Sequence, residues 1–227
     1  MRLKDHPEKD GMRVWLDERE TQLLIGEAQN TEQRVAFHLM GRSGLRRNEM
    51  VQIKPRDLAE TDTGHHVRVR AEYTKSSHYR EPPVSSACVN HIENLADDRA
   101  PDDDLVDRDP KTIYNWVRRG AERCAAAEDE PGWQHVSPHD LRRTWGTQLL
   151  EAGVLPSVVM SWGGWQDWET FRDHYLGEFS PEAIRRERNK VEYLADRGVR
   201  PSGQSGAGYS AVDRHGERGG NQPADRY

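Results

Sequence analysis

Six side chains scattered along this sequence have the chemistry to grip and attack a phosphate: Arg46, Lys75, His139, Arg142, Trp165 and Tyr175. Guanidinium groups bind phosphate oxygens through paired N–H donors and best stabilise charge that grows in a transition state. A lysine adds a compact cation. A histidine one helical turn before Arg142 faces the same point. Tyr175 closes the stretch WETFRDHY. A free phenol, with a pKa of about 10, is a weak nucleophile at neutrality; beside cations it can attack phosphorus and hold a covalent phosphoester. Each residue also has an ordinary reading. Arg46 pairs with Glu49 or Asp57, Lys75 is a solvated turn residue, His139 caps a helix or pairs with Asp140, and Arg142 or Arg143 makes a structural salt bridge. Trp165 is then core, and Tyr175 a half-buried aromatic at a helix end.

The elements that must carry these groups can be read from capping and period. Asp17 with Glu20 predicts a capping box and a helix over 18–28, and Thr31 is expected to cap the next. Val35, Ala36, Leu39 and Met40 share a helical face that breaks at GRSG, which places Arg46, Arg47 and Glu49 at a turn between helices. Residues 67–73 alternate strictly and TKSSH turns them into a second extended piece ending at Pro82-Pro83, a hairpin with Lys75 near its tip. A helix is expected over 111–127 with Ile113, Trp116, Val117 and Ala121 buried. Ser137 caps the helix of SPHDLRRTWGTQLLEAG, with Pro138 at its first position. Shorter helices follow over 156–162 and 168–176, and a last one starts at Ser180-Pro181 and ends near Gly198. The fold class is therefore mainly α with a small antiparallel β-sheet, an α+β domain, and nothing suggests a parallel βαβ fold.

The 227 residues suffice for one good core. A mean hydropathy of −1.00 is low for a fully packed chain, and residues 197–227, rich in Gly, Ser, Pro and charge, are expected to be a disordered tail. Net charge is −6. That balance argues at first against an anionic partner, but the acids concentrate in 93–109 and 125–132 while arginines cluster at 42–47 and 142–143. An acid-rich, Lys-poor surface is the pattern of salt adaptation, a hypothesis that full activity at low salt would contradict. Cys88 and Cys124 have no metal-ligand spacing, so neither a disulfide framework nor a zinc site is expected. The N-terminus lacks an apolar run of signal-peptide type, no membrane span is legible, and a cytoplasmic location is expected.

These boxes resemble, in order, the catalytic domain of the tyrosine recombinase, or phage integrase, family. SGLRRNEMVQIKPRDL is similar to its first arginine box, with Arg46 followed by Glu49 as the acid three positions on. YTKSSHYREPPVS looks like the family hairpin, which assigns Lys75, and SPHDLRRTWGTQLLEAG its H-x-x-R box, which assigns His139 and Arg142 with Arg143 beside them. SWGGWQDWETFRDHY puts Trp165 at the family's His/Trp position and Tyr175 ten residues on, one more than usual, so Trp162 and Trp168 compete with Trp165. The resemblance covers about residues 15–185, with a catalytic domain over 15–196 after an extension of residues 1–14.

The resemblance implies a mechanism. Tyr175 attacks a scissile phosphate of double-stranded DNA, forming a 3′-phosphotyrosyl bond and freeing a 5′-hydroxyl that a second strand's 5′-hydroxyl later replaces. Arg46 and Arg142 stabilise the non-bridging oxygens, Lys75 protonates the leaving 5′-oxygen, His139 assists proton transfer, and Trp165 donates its indole N–H. It implies neither metal nor cofactor, because the cations are side chains and the bond energy is kept in the phosphotyrosine. The assembly it implies is a homotetramer on DNA. Family members also carry an N-terminal clamp domain, and the sequence is expected to lack it. Two rivals follow: a type IB topoisomerase-like activity, or a DNA-binding remnant that regulates a full-length recombinase.

Overall fold

The computed structural model describes residues 1–6, 11–74, 78–172 and 179–194. In chain order the elements are β1 (Arg2–Asp5), β2 (Met12–Trp15), α1 (Glu18–Gly26), α2 (Thr31–Arg42), α3 (Arg47–Met50), β3 (Leu58–Thr61), β4 (Gly64–Val67), α4 (Ser86–Ala96), α5 (Pro110–Glu128), α6 (Pro138–Glu151), α7 (Pro156–Gly163), α8 (Trp168–Phe171) and α9 (Pro181–Asn189). The mainly helical, α+β expectation holds. Residues up to Glu187 form one compact unit, and those from Arg188 onward belong to a second. No helix among the described residues is long and apolar enough to cross a membrane.

Helix α2 is the centre of the core. Its residues Val35 to Gly41 are all buried, because α1, α4, α5 and α6 pack around it, and a helix apolar on most sides belongs inside. Its cap is Asn30, whose side chain accepts the Gln33 N–H, so Thr31 is the first helical residue and not the cap. Asp17 and Glu20 form the expected capping box on α1. In α5 the predicted stripe of Ile113, Trp116, Val117 and Ala121 is buried. Cys88 and Cys124 are buried free thiols, their pKa values pushed up to about 12, chiefly by burial.

The sheet differs from expectation in three places. Residues 2–5 and 12–15, which fall almost wholly in the stretch 1–14 expected only as an extension, pair as antiparallel strands with Arg2 opposite Trp15. This pair is stitched to α6: the Val14 N–H donates to Asp140 Oδ1 at 3.1 Å and the Leu16 N–H to Thr144 Oγ1 at 3.0 Å. Second, β4 has a partner that alternation did not reveal, β3, paired from Leu58–Val67 to Thr61–Gly64. Third, the extended run stops at Val69. The expected hairpin survives as bridges between His66 and Pro83 and between Val69 and Arg80, but Ala71–Tyr73 is a 3₁₀ turn. The reason is Asp57, fully buried, which takes Arg70 Nε at 2.6 Å and the Tyr73 hydroxyl at 3.1 Å and so bends the chain toward itself. The last helix also ends early, at Asn189 in place of 198; in α9 only Ala183 is buried, so little apolar contact rewards further turns.

One buried group ties the core to pH. His38, 7% exposed on α2, has its pKa lowered to about 4, first by burial and then by His91, Arg42 and Arg34. The unfolded chain then binds the extra proton over the window between about 6.5 and 4, so stability falls as pH falls through it, by about 3 kcal/mol when fully developed. Thermal midpoints measured from pH 7 to 4.5 are expected to drop more steeply for the wild type than for His38→Leu; parallel curves would remove His38 from this role.

Candidate active site

Arg46, Glu49, His139 and Arg142 line one cleft of about 980 Å³, together with Arg47, Tyr73, Thr74 and Tyr114. Four separate stretches of sequence meet there, with α5 contributing Tyr114. The end of α2 and the start of α3 bring Arg46, the start of α6 brings His139 and Arg142, and the turn after Tyr73 brings Thr74. Lys75 and Tyr175 lie outside the described residues. Thr74, the last described residue before Lys75, forms part of the cleft wall.

Arg46 caps α3 and is held by Glu49, as the ordinary reading of the pair required. The Glu49 carboxylate, 1% exposed, accepts the Arg46 N–H and Arg46 Nη1, both at 2.7 Å. It also accepts Arg80 Nη2 at 2.6 Å and Nη1 at 3.2 Å. Burial by itself pushes the Glu49 carboxyl up. The hydrogen bonds and charge of Arg80, with the charges of Arg46 and Arg142, outweigh burial and hold it below the ordinary carboxylate range. Glu49 therefore stays ionised and fixes Arg46 at the cleft wall.

Arg80, to which the sequence patterns give no role, is 4% exposed, and its Nε is buried with no hydrogen-bond partner among the described residues. A signal was present. Arg80, Pro82 and Val84 share one face of an extended segment, and all three are buried. A guanidinium on an inward face needs a carboxylate, and Glu49 is it. Arg80→Met leaves Glu49 buried with one partner and is expected to cost about 3–5 kcal/mol. Adding Glu49→Gln removes the under-compensated charge, so the double variant should recover part of that loss in chemical denaturation. Strictly additive losses would show that the two residues are not coupled.

Arg142 is 1% exposed and bridges two glycine carbonyls: Nη1 donates to Gly44 O and Nη2 to Gly163 O at 2.6 Å. Its Cζ stands 4.2 Å from the centroid of Trp165, which in turn stacks on Trp145 with centroids 5.9 Å apart and planes 23° off parallel. Both glycines are obligatory. At Gly44, with φ +69°, a Cβ would lie 2.2 Å from Trp145, and at Gly163 it would lie 1.8 Å from Trp165. Of the three candidate tryptophans, Trp165 is the one whose ring lies against Arg142, and Trp168 is 47% exposed. Trp165 supports the cleft from behind and is absent from its lining.

His139 is exposed on the first turn of α6 and faces the cleft. That helix starts where expected: Asp140 Oδ2 accepts the Ser137 N–H at 3.0 Å and the Ser137 hydroxyl at 2.6 Å. Arg143 points elsewhere. It is buried against Asp140 and stands 5.4 Å over the ring of Trp15, outside the cleft lining, because successive helical residues face different sides.

A helical domain that gathers two arginines and a histidine from these elements has the architecture of a tyrosine recombinase catalytic domain. Residues 14–180 match the model of the phage integrase family, and the chain belongs to that family. A tyrosine recombinase of Thermosipho africanus is 26% identical over 153 residues, 64% of this chain and 50% of that protein. The integrase of Salmonella phage P22 is 24% identical over 176 residues, 73% of this chain and 44% of that one. The chain spans about half the length of the curated relatives it matches. Among solved structures, XerA recombinase superposes with a TM-score of 0.62 at 22% identity over 78% of this chain and 65% of that one. XerH, a site-specific recombinase bound to palindromic difH substrate, gives 0.61 at 16% identity over 77% and 52%.

Proposed function

We propose that this domain is a site-specific DNA recombinase that cleaves and rejoins double-stranded DNA through a 3′-phosphotyrosyl intermediate on Tyr175. The observation that supports it most is the convergence of Arg46, His139 and Arg142 in one cleft, with Arg46 and Arg142 each immobilised by buried partners. Pre-set cations are what in-line attack on a phosphodiester requires, since they meet the developing charge without reorganising.

In the proposed step the Tyr175 oxygen bonds to phosphorus as the bond to the 5′-oxygen breaks. His139 assists removal of the phenolic proton, Lys75 delivers a proton to the departing oxygen, and Arg46 and Arg142 hold the non-bridging oxygens. Trp165 sustains Arg142 through its ring. The reverse reaction with another strand's 5′-hydroxyl restores the tyrosine and completes joining. The working assembly would be four protomers on two duplexes, as for a mobile-element enzyme acting on cytoplasmic DNA, and its acid-rich surface suits molar salt.

The test is a nicked suicide substrate, from which the released fragment diffuses away and traps the adduct, run at low and at molar salt. A covalent protein–DNA species is expected. Supercoil relaxation without partner joining would favour the topoisomerase-like reading, and binding with no adduct under either condition would favour the regulatory remnant.

A further inference from the structure

The cleft holds a third arginine, which the phosphate chemistry above does not use. Arg47 follows Arg46 at the start of α3, is exposed, and lines the same cleft. In this acid-rich chain most of the neighbouring arginines are matched: Arg42 with Glu18, Arg46 and Arg80 with Glu49, Arg70 with Asp57. Arg47 makes no ion pair among the described residues. Its Cζ instead stands 5.8 Å from the ring centroid of Tyr114.

Tyr114 is itself anomalous. It is 37% exposed on α5, at the edge of the buried stripe of Ile113, Trp116 and Val117, and its ring forms part of the cleft wall. The platform is firmly mounted. Arg118, one turn along α5, donates Nη1 to Gln134 O at 2.5 Å and to Val136 O at 2.9 Å, which ties α5 to the segment leading into His139. An exposed arginine held over an aromatic face keeps its donors for a ligand while the ring limits its rotamers.

Resting on the recombinase reading of the cleft, we infer that Arg47, pre-oriented by Tyr114, binds a backbone phosphate of the DNA strand beside the scissile one. A phosphate contact fixes register and carries no sequence information. The alternative partners for this guanidinium are a base edge, which would give discrimination at one position, or solvent alone.

The three cases separate in equilibrium binding of the whole chain to short duplexes across a salt series. For Arg47→Met the expected result is roughly tenfold weaker binding, equal for the preferred site and for unrelated duplexes, with the slope of log K against log salt reduced by about 0.9. Arg47→Lys should keep the slope while losing part of the affinity. Tyr114→Leu should weaken binding by less than Arg47→Met and add nothing in the Arg47→Met background. Unchanged affinity and slope in Arg47→Met, or a loss confined to one base pair, overturns the inference while leaving the recombinase reading intact. A wild-type chain that binds no duplex overturns both. Both side chains are exposed, so the thermal midpoint of every variant should match that of the wild type, which separates lost contact from lost fold.

Discussion

With Tyr175 replaced by Phe, the expected product of the suicide-substrate reaction is bound, uncut DNA. The substitution removes one oxygen and keeps the ring. Affinity comes from phosphate contacts to cations, which are untouched, so the duplex should bind as before. Adduct formation should fall to nothing, because only the phenolic oxygen bonds to phosphorus. Tyr73 and Tyr114 line the cleft, and they make the experiment decisive. The Tyr73 hydroxyl donates to Asp57, and its pKa is raised by burial first and by Asp57 next, so it resists becoming a nucleophile. Tyr114 is exposed and engaged by Arg47 through its ring, leaving its oxygen open to attack on a misplaced phosphate. Peptide mapping of the wild-type adduct distinguishes Tyr175 from Tyr114, and a residual adduct in Tyr175→Phe would move the nucleophile.

Arg142→Lys is expected to slow cleavage by about 10²–10³ while the protein remains folded. Lysine keeps the charge but lacks the planar fork. It can satisfy one glycine carbonyl, not Gly44 and Gly163 together, and it loses the stacking on Trp165. Losing one oriented donor to the growing phosphate charge costs roughly 2.7–4 kcal/mol in the barrier, which gives that rate range. The carbonyl left buried without a donor costs a further 1–3 kcal/mol or so of stability. Arg142→Ala should be worse on both counts. Single-turnover cleavage with saturating enzyme, beside chemical denaturation, separates the two losses. A lysine variant that cleaves at the wild-type rate would place Arg142 in scaffolding alone.

Much of the architecture was legible because local chemistry agreed with the final packing. Asp17 and Glu20 close their box, Ser137 and Pro138 open α6, and the apolar period of α5 is its buried stripe. The first strands were not legible. Residues 2–5 and 12–15 are too short for alternation to register, and their stability comes from Asp140 and Thr144, more than a hundred residues away. The alternation of 67–73 misled for a related reason: Asp57, at a distance in sequence, captures Arg70 and Tyr73 and ends the strand.

The sequence by itself determined the types and order of the arginines and histidine that meet in the cleft, since H-x-x-R spacing and an arginine with an acid three residues on are local patterns. It also determined that Arg46 would meet Glu49, because the first turn of a helix brings them together. Only the tertiary structure decided which tryptophan carries Arg142, that Arg80 completes the cage of Glu49, and that Arg143 faces Trp15 instead of the cleft. Those outcomes rest on contacts between α2, α6, α7 and a strand far apart in the chain. No periodicity encodes such contacts, because a buried charge is settled only by the partner that folding brings to it.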